Sequence, residues 1–221
     1  MITEFLERHK GKTSFLEHEV KGLLKDMGLS VPNGVFTAKG ETLRLPAGLS
    51  YPLVAKVSSS KIASKSDVRG VRLGIRNENE LETAVRELFE IEDAEGALIE
   101  ETAPAGVEVI IGGIIDRQFG PVVMFGLGGV FVELSKDVAF ALAPLTREDS
   151  HWIVRQVKSY RLLEGVRGRP PSDLNALSDI IVAVGEIIST GLIREIDLNP
   201  VAVYPRGALI LDAKASPLPP G

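Results

Sequence analysis

The sequence predicts an α+β protein, on three observations. Short runs rich in Val, Ile and Phe, bounded by Gly, Pro and Ser, alternate with a few helix-length amphipathic segments. The strand-like runs are densest from Val107 to Phe140, before the longest helical pattern. Ala103-Pro104-Ala105-Gly106 interrupts the chain as a natural hinge, so a small α+β lobe precedes a larger one rich in β structure.

Each element follows from its local pattern. Ser14 to Met27 places Phe15, Leu16, Val20, Leu23, Leu24 and Met27 at helical spacing, with Ser14 able to cap and Gly28 to stop. That makes His18 part of a packed helix rather than a catalytic group. Val31–Phe36 is a short strand and Leu43–Ser50 a turn-rich joint. Tyr51–Val57 and Gly70–Ile75 are strands joined by a Lys/Ser/Asp loop, which can lay amides and lysines over phosphates. Asn79–Leu88 is helical and Ala97–Glu100 begins a strand.

Beyond the hinge, Val107–Asp116 and Gly120–Gly126 form neighbouring strands, with Val130–Leu134 and Val138–Phe140 continuing the pattern. Helices are expected from Arg147 to Lys158 and from Ser172 to Ser189, separated by the basic loop Gly165–Pro171. Ile193–Leu198 and Ala208–Leu211 are expected terminal strands, and Ser216–Gly221 is expected to be a linker stub or a frayed end. The expected organisation is residues 1–50 packed on the core, a smaller lobe over 51–99, a larger lobe over 100–215, and a tail over 216–221.

Composition narrows the function. A chain of 221 residues, 44% hydrophobic, supports one large core or two compact lobes and argues against disorder of the whole. The net charge of −5, from 25 Lys and Arg against 30 Asp and Glu, disfavours nonspecific nucleic-acid binding. A nucleotide still fits, because a few local cations and amides suffice to bind it. With no cysteine, disulfides, thiolate nucleophiles and Cys-based metal sites are excluded, leaving a hard metal bound through oxygen or imidazole. Met1 to Lys12 lacks the apolar core of a signal peptide, and Val122–Phe125 is too short to span lipid, so the default expectation is cytoplasmic with no membrane partner.

Several residues are placed to carry chemistry. In Asp197-Leu198-Asn199-Pro200, alternation puts Asp197 and Asn199 on one face, and antiparallel pairing can bring Asp212 alongside. Such oxygens suit Mg²⁺, although a polar turn ending two core strands accounts for the same spacing. Lys56 closes an apolar strand, where it is either a point charge for phosphate or a solvated edge lysine. Glu100 and Glu108 flank the hinge and can accept from nucleotide amino or ribose groups, or simply be solvated. Gly126-Leu127-Gly128-Gly129 matches neither a Rossmann nor a P-loop pattern, but permits a tight loop near a ligand.

Taken in order, YPLVAKV (51–57), KSDVRGVRLG (65–74), the long segment from Gly106 to Leu145, GRPPSDL (168–174) and EIDLNPVAVYP (195–205) resemble the β subunit, or corresponding ATP-grasp domain, of ADP-forming acetyl-CoA and acyl-CoA synthetases. The resemblance runs from Phe15 to Lys214 and extends distantly to the succinyl-CoA synthetase β subunit. It implies a two-lobed ATP-grasp fold clamping ATP or ADP between antiparallel sheets, and an acid–CoA ligase active only with a CoA-binding α subunit, in an α₂β₂ or similar heterotetramer. The implied reaction converts acyl-CoA, ADP and phosphate to acid, CoA and ATP, reversibly, through an acyl phosphate and a phosphohistidine on the partner. Residue by residue, Lys56 matches the phosphate lysine, Glu100 and Glu108 the nucleotide-binding acids, and Asn199 and Asp212 the Mg²⁺ ligands. Arg69 and Arg72 join Lys56 as the cations expected around the transferring phosphoryl group.

One departure stands out. Acetyl-CoA-forming relatives carry a second phosphorylatable histidine just before Lys-Ser/Thr-Asp-Val-Gly-Gly-Val, where this chain has Ser64, and Arg69 replaces a loop glycine. His9, His18 and His151 lie outside that loop. Phosphoryl transfer is therefore expected to be direct from the partner, or else the chain is a catalytically silent nucleotide-binding module. An ATP-grasp ligase of another branch, joining a carboxylate to an amine or thiol, fits the fold but not the long family-like segments.

Overall fold

The computed structural model describes residues 1–128, 137–166 and 168–219. The expected strand Val130–Leu134, together with Gly129, Arg167, Pro220 and Gly221, lies outside the described residues. The chain divides into two compact units, one of Met1–Phe15, Val20–Val31 and Ala105–Gly221, the other of Leu16–Glu19 and Pro32–Pro104. The division near Pro104 falls in the Ala103–Gly106 stretch, whereas residues 1–50 are shared between the units.

The smaller unit is an antiparallel sheet of β1 (Gly34–Ala38), β2 (Leu53–Ser58), β3 (Val71–Ile75) and β4 (Gly96–Glu101), ordered β1-β4-β2-β3. One helix, α3 (Glu78–Phe89), packs on it. This helix forms because Asn77 accepts the Glu80 amide at 3.0 Å while the Glu80 carboxylate accepts the Arg76 amide at 2.8 Å. Leu81, Ala84, Val85 and Leu88 then form its buried stripe. Against them lie Leu53, Ala55, Val57 and Ile99, the odd-numbered side of β2 and β4. The alternation of a strand therefore turns Val54 and Lys56 to the opposite face. All six residues of β2 are buried, so that face is covered as well.

The larger unit is an antiparallel sheet of β5 (Val107–Asp116), β6 (Gly120–Leu127), β7 (Val138–Leu142), β8 (Ile193–Val203) and β10 (Lys214–Pro217), ordered β10-β8-β5-β6-β7, with β9 (Ala208–Ile210) pairing β8. Helices α4 (Arg147–Gln156) and α5 (Leu174–Ser189) contribute Ile153, Val154, Leu177, Ile181, Val184 and Ile188 to a core shared with Val109, Ile111, Val123, Phe125, Ile196 and Leu198. Gly113 permits the close approach of α5, since a Cβ there would lie 2.9 Å from Val184 Cγ1 and 3.1 Å from Ile196 Cγ2. Phe5 of α1 (Ile2–Arg8) and Val20, Leu23 and Leu24 of α2 (Glu17–Asp26) join the same core. Among the described residues, no helix is long and apolar enough to cross a membrane.

Several boundaries differ from expectation for local reasons. The helix expected from Ser14 starts at Glu17, because the Phe15 amide donates to Ala215 O and Glu19, rather than Ser14, accepts the Leu16 amide at 2.9 Å. The one expected to reach Lys158 ends at Gln156, where Asp137 takes over the amides of Lys158 and Ser159. β8 continues past Leu198 to Val203, as its partner changes from β10 to β9 around Pro200. Ser216 and Pro217 belong to β10 and pair with β8, so the tail expected to fray is ordered there by a ladder the sequence does not announce.

Candidate functional site

In the smaller unit, the face of β2 opposite α3 carries a buried ionic cluster. Lys56 Nζ lies 2.8 Å from Glu17 Oε1 and 2.7 Å from Glu100 Oε2, and Lys65 Nζ lies 2.9 Å from Glu17 Oε2. The side chains are 11% exposed for both lysines and 3% and 2% for Glu17 and Glu100. Register explains the meeting: Glu100 pairs with Val54 across β2–β4, which sets it diagonal to Lys56 on the same face. Gly34 is opposite Glu100 on β1, and a Cβ there would come within 2.7 Å of Glu100 Cγ, so glycine leaves the carboxylate room. Lys56 is thus neither a solvated edge lysine nor isolated. Pairing with carboxylates compensates the desolvation of the ammonium and fixes its position.

Glu17 and Lys65 were not among the expected site residues. A signal for Glu17 exists in the sequence: it stands in phase with the buried Val20 and Leu24, three and seven residues on, where a stripe of this kind is ordinarily apolar. His18, beside it, stacks on Phe36 with ring centroids 3.9 Å apart at 15°, as a packing group.

The two arginines do not join this cluster. Arg72 pairs in register with Ala55, so it projects to the α3 side, where its Nε meets Glu87 Oε2 at 2.8 Å and its Nη1 donates to Arg69 O. Arg69 is exposed, with a left-handed φ of 51° in the turn closed by the Gly70 amide on Lys65 O at 2.6 Å. Ser64 Oγ accepts the Asp67 amide at 3.4 Å in the same loop. The expected grouping of Lys56, Arg69 and Arg72 therefore separates, because Arg72 stands opposite Ala55 rather than Lys56 and Arg69 lies in the exposed turn before β3.

In the larger unit, the face of the sheet away from α4 and α5 carries Glu108, Ile110, Gly112 and Ile114 from β5 and Glu195, Asp197 and Asn199 from β8. Glu108 is exposed, and its carbonyl accepts the Gly128 amide at 2.7 Å. A cavity of about 150 Å³ lies on this face, lined by Gly112, Ile114, Val122, Met124, Phe140 and Asp197. The segment between β9 and β10 runs beside Asn199-Pro200: the Asn199 amide donates to Asp212 O at 3.2 Å and the Leu211 amide to Pro200 O at 3.0 Å. Asp212 therefore lies beside Asn199, while Asp197 faces Lys214 across β8–β10.

An amide and a carboxylate on residues brought together by main chain are the hard oxygen donor types that fit Mg²⁺, which takes one or two protein ligands and completes its shell with water and phosphate. No group of three His, Cys, Asp or Glu able to hold a metal occurs among the described residues. A metal held by two protein ligands does not require one.

Two antiparallel sheets with this topology, one carrying the carboxylate-held Lys56, have the architecture of an ATP-grasp domain. The ATP-grasp domain family matches residues 7–216. The chain is 41% identical over 221 residues to the β subunit of acetate–CoA ligase [ADP-forming] I of Pyrococcus furiosus, covering 96% of this chain and 95% of that one. It is also 44% identical over 200 residues to acetate–CoA ligase [ADP-forming] II of Archaeoglobus fulgidus, where it covers 90% of this chain but spans only 30% of the relative's length. Among solved structures it is similar to the dinucleotide-forming acetyl-coenzyme A synthetase 1 of Ca. Korarchaeum cryptofilum. That protein in complex with coenzyme A and Ca-AMPCP superimposes with a TM-score of 0.88 at 40% identity over 98% of both chains. A complex of the same protein with coenzyme A and Mg-AMPPCP gives 0.83 at 40% identity, over 99% of this chain and 100% of that one. The chain belongs to the ATP-grasp, β-subunit-type family of ADP-forming acyl-CoA synthetases.

Proposed function

We propose that this chain is the nucleotide-binding component of an ADP-forming acid–CoA ligase, acting with a CoA-binding α subunit to convert acyl-CoA, ADP and phosphate reversibly to acid, CoA and ATP. ATP or ADP and Mg²⁺ are its cofactors, in keeping with the Mg-AMPPCP complex of the Korarchaeum relative. A heterotetrameric assembly and a cytoplasmic location complete the reading, supported by family membership alone.

The observation that carries it is Lys56, buried between Glu17 and Glu100. In the smaller unit, Lys56 binds a nucleotide phosphate, Glu100 holds Lys56 in place, and Arg69 supplies an exposed cation on the loop after Ser64. Within the larger unit, Glu108 accepts from the nucleotide, and Asn199 and Asp212 ligate the metal. The metal, when bound, neutralises charge on the phosphate oxygens. Arg72 is assigned to tying β3 to α3 through Glu87 rather than to the phosphate.

With Ser64 at the family's histidine position, the phosphoryl group passes directly from the partner's phosphohistidine to the terminal phosphate oxygen of ADP. The P–N bond breaks as a P–O bond forms, and the imidazole leaves neutral because the phosphohistidine ring enters the step protonated on its other nitrogen. The Korarchaeum relative, with its phosphohistidine segment pointing towards the nucleotide binding site, supports such a path. Calorimetric titration of the chain, assembled with its partner, against ADP and Mg²⁺ tests the assignment. Lys56→Gln is expected to abolish most of the affinity, and unaltered binding would refute it.

A second reading, a silent nucleotide-binding module, is favoured by one feature: Ser64 offers no imidazole to take the phosphoryl group. Absence of turnover with the partner, in the presence of tight ADP binding, would select it.

A further inference from the structure

We propose that Glu17 is a positioning residue for a pair of phosphate-facing lysines, Lys56 and Lys65; the proposal rests on the assignment of Lys56 to phosphate made above. One carboxylate holds both ammonium groups, Lys56 on Oε1 at 2.8 Å and Lys65 on Oε2 at 2.9 Å. Glu100 holds Lys56 from β4 at 2.7 Å. The charged groups that meet Lys56 include Glu17 at the start of α2 and Glu100 on β4, with Lys65 from the loop before β3 reached through Glu17, and Lys21 is a further buried cation one turn along α2 from Glu17.

The bridging carboxylate matters because the cluster is desolvated. Two ammonium groups brought together in a medium of low dielectric disfavour each other's charged form, and each loses its proton more readily unless an anion stands between them. Glu17 is that anion. It keeps both lysines protonated and fixes where their charges sit, which a phosphate needs from residues that act as point charges rather than as forks. Because Lys65 directly follows Ser64, the same carboxylate also anchors the loop at the position where relatives carry their second histidine. Glu17 touches neither nucleotide nor phosphate in this scheme and acts through the lysines.

The test is the pH dependence of ADP affinity in the full chain assembled with its partner, measured by calorimetry from about pH 7.5 to about pH 9.5, with thermal melting recorded for each variant. Relative to the unsubstituted protein, Glu17→Gln should lose roughly tenfold more affinity at the alkaline end than at the neutral end, as two lysines that have lost their shared carboxylate deprotonate more readily. Glu17→Gln combined with Lys65→Met removes one of the two cations that Glu17 holds and should restore the parent's pH profile, a rescue that a merely structural role does not produce. If Glu17→Gln runs parallel to the parent at every pH, the inference is overturned. Should that variant fail to fold, Glu17→Asp carries the test: it keeps the charge but withdraws the carboxylate by one methylene. The parent's profile at reduced affinity is expected for it, and undiminished affinity overturns the inference. Lys56→Gln separates the two levels. If it binds ADP as tightly as the parent, the phosphate assignment itself has failed. If it loses ADP while Glu17→Gln behaves as the parent, only the role of Glu17 has.

Discussion

The backbone amide of Asn199 donates to the carbonyl oxygen of Asp212 at 3.2 Å, so two oxygen-bearing residues from different segments are held beside each other by a main-chain hydrogen bond. That bond uses neither side chain. Asn199→Ala and Asp212→Ala are each expected to weaken Mg²⁺-dependent ADP binding by about tenfold, leaving Mg²⁺-free binding nearly unchanged. Calorimetry with and without Mg²⁺ checks this. If neither substitution alters the magnesium dependence, these two residues are not the ligands.

Arg72 and Lys56 should respond differently, though both are cations on adjacent strands. Arg72 sits on the α3 face in a partly exposed pair with Glu87, an arrangement worth about 0–1 kcal/mol. Arg72→Ala should thus cost at most about 1 kcal/mol of stability in urea unfolding and shift ADP affinity by less than about twofold. A loss of affinity comparable to that of Lys56→Gln would return Arg72 to the phosphate site.

That contrast marks what the sequence made legible. Lys56 was identifiable because it ends an apolar strand, but the sequence alone left open a solvated edge role; the burial of all of β2 excludes that role. Which face Arg72 takes depends on the pairing of Ala55 with Arg72, and register across a loop of uncertain length cannot be read from composition. The helices around Leu81–Leu88 and Leu177–Ile188 were plain from their spacing. By contrast, β10 was not, since Lys214–Pro217 gains its structure from β8 and has no pattern of its own. Glu17 is the intermediate case: its phase on an apolar stripe was visible, its two lysine partners were not.

Gly113 is a packing requirement of β5. Gly113→Ala should destabilise the protein by about 1–3 kcal/mol, because the added carbon would meet Val184 and Ile196 below normal contact distance. Equilibrium unfolding measures this, and a cost below about 0.5 kcal/mol would mean that α5 moves aside freely.

Asp173 caps α5 and carries a pH dependence. Its carboxylate accepts the Gly207 amide at 2.8 Å and those of Ala176 and Asn175 at 3.0 and 3.1 Å, and these bonds, Gly207 first, hold its pKa below the ordinary aspartate value. A depressed folded-state pKa contributes stability above the unfolded value of about 3.9, which is lost as pH falls through the folded value. Asp173→Ala should therefore cost about 1–2 kcal/mol near neutral pH and visibly less near about pH 3. A cost independent of pH would assign the effect to packing.

Ser64 poses the sharpest question about mechanism. Its hydroxyl is engaged within its own turn by the Asp67 amide, and the turn that follows is closed by Gly70 on Lys65 and by Arg69 in a left-handed conformation. A serine oxygen offers nothing comparable to an imidazole nitrogen near neutral pH as a reversible phosphoryl acceptor. Direct transfer removes the need for one, because phosphoryl transfer depends chiefly on positioning and charge neutralisation, the role proposed for Lys56. The unsubstituted chain with its partner should thus form ATP from acyl-CoA, ADP and phosphate. Ser64→His should leave that rate unchanged or lower it, since a larger ring must fit a turn built around a small side chain. Label from radioactive phosphate, followed into the partner histidine, into this chain and into ATP, tests each step. Label trapped on the partner before substitution and reaching ATP only in Ser64→His would refute direct transfer and mark the chain as one whose relay is broken at a single residue.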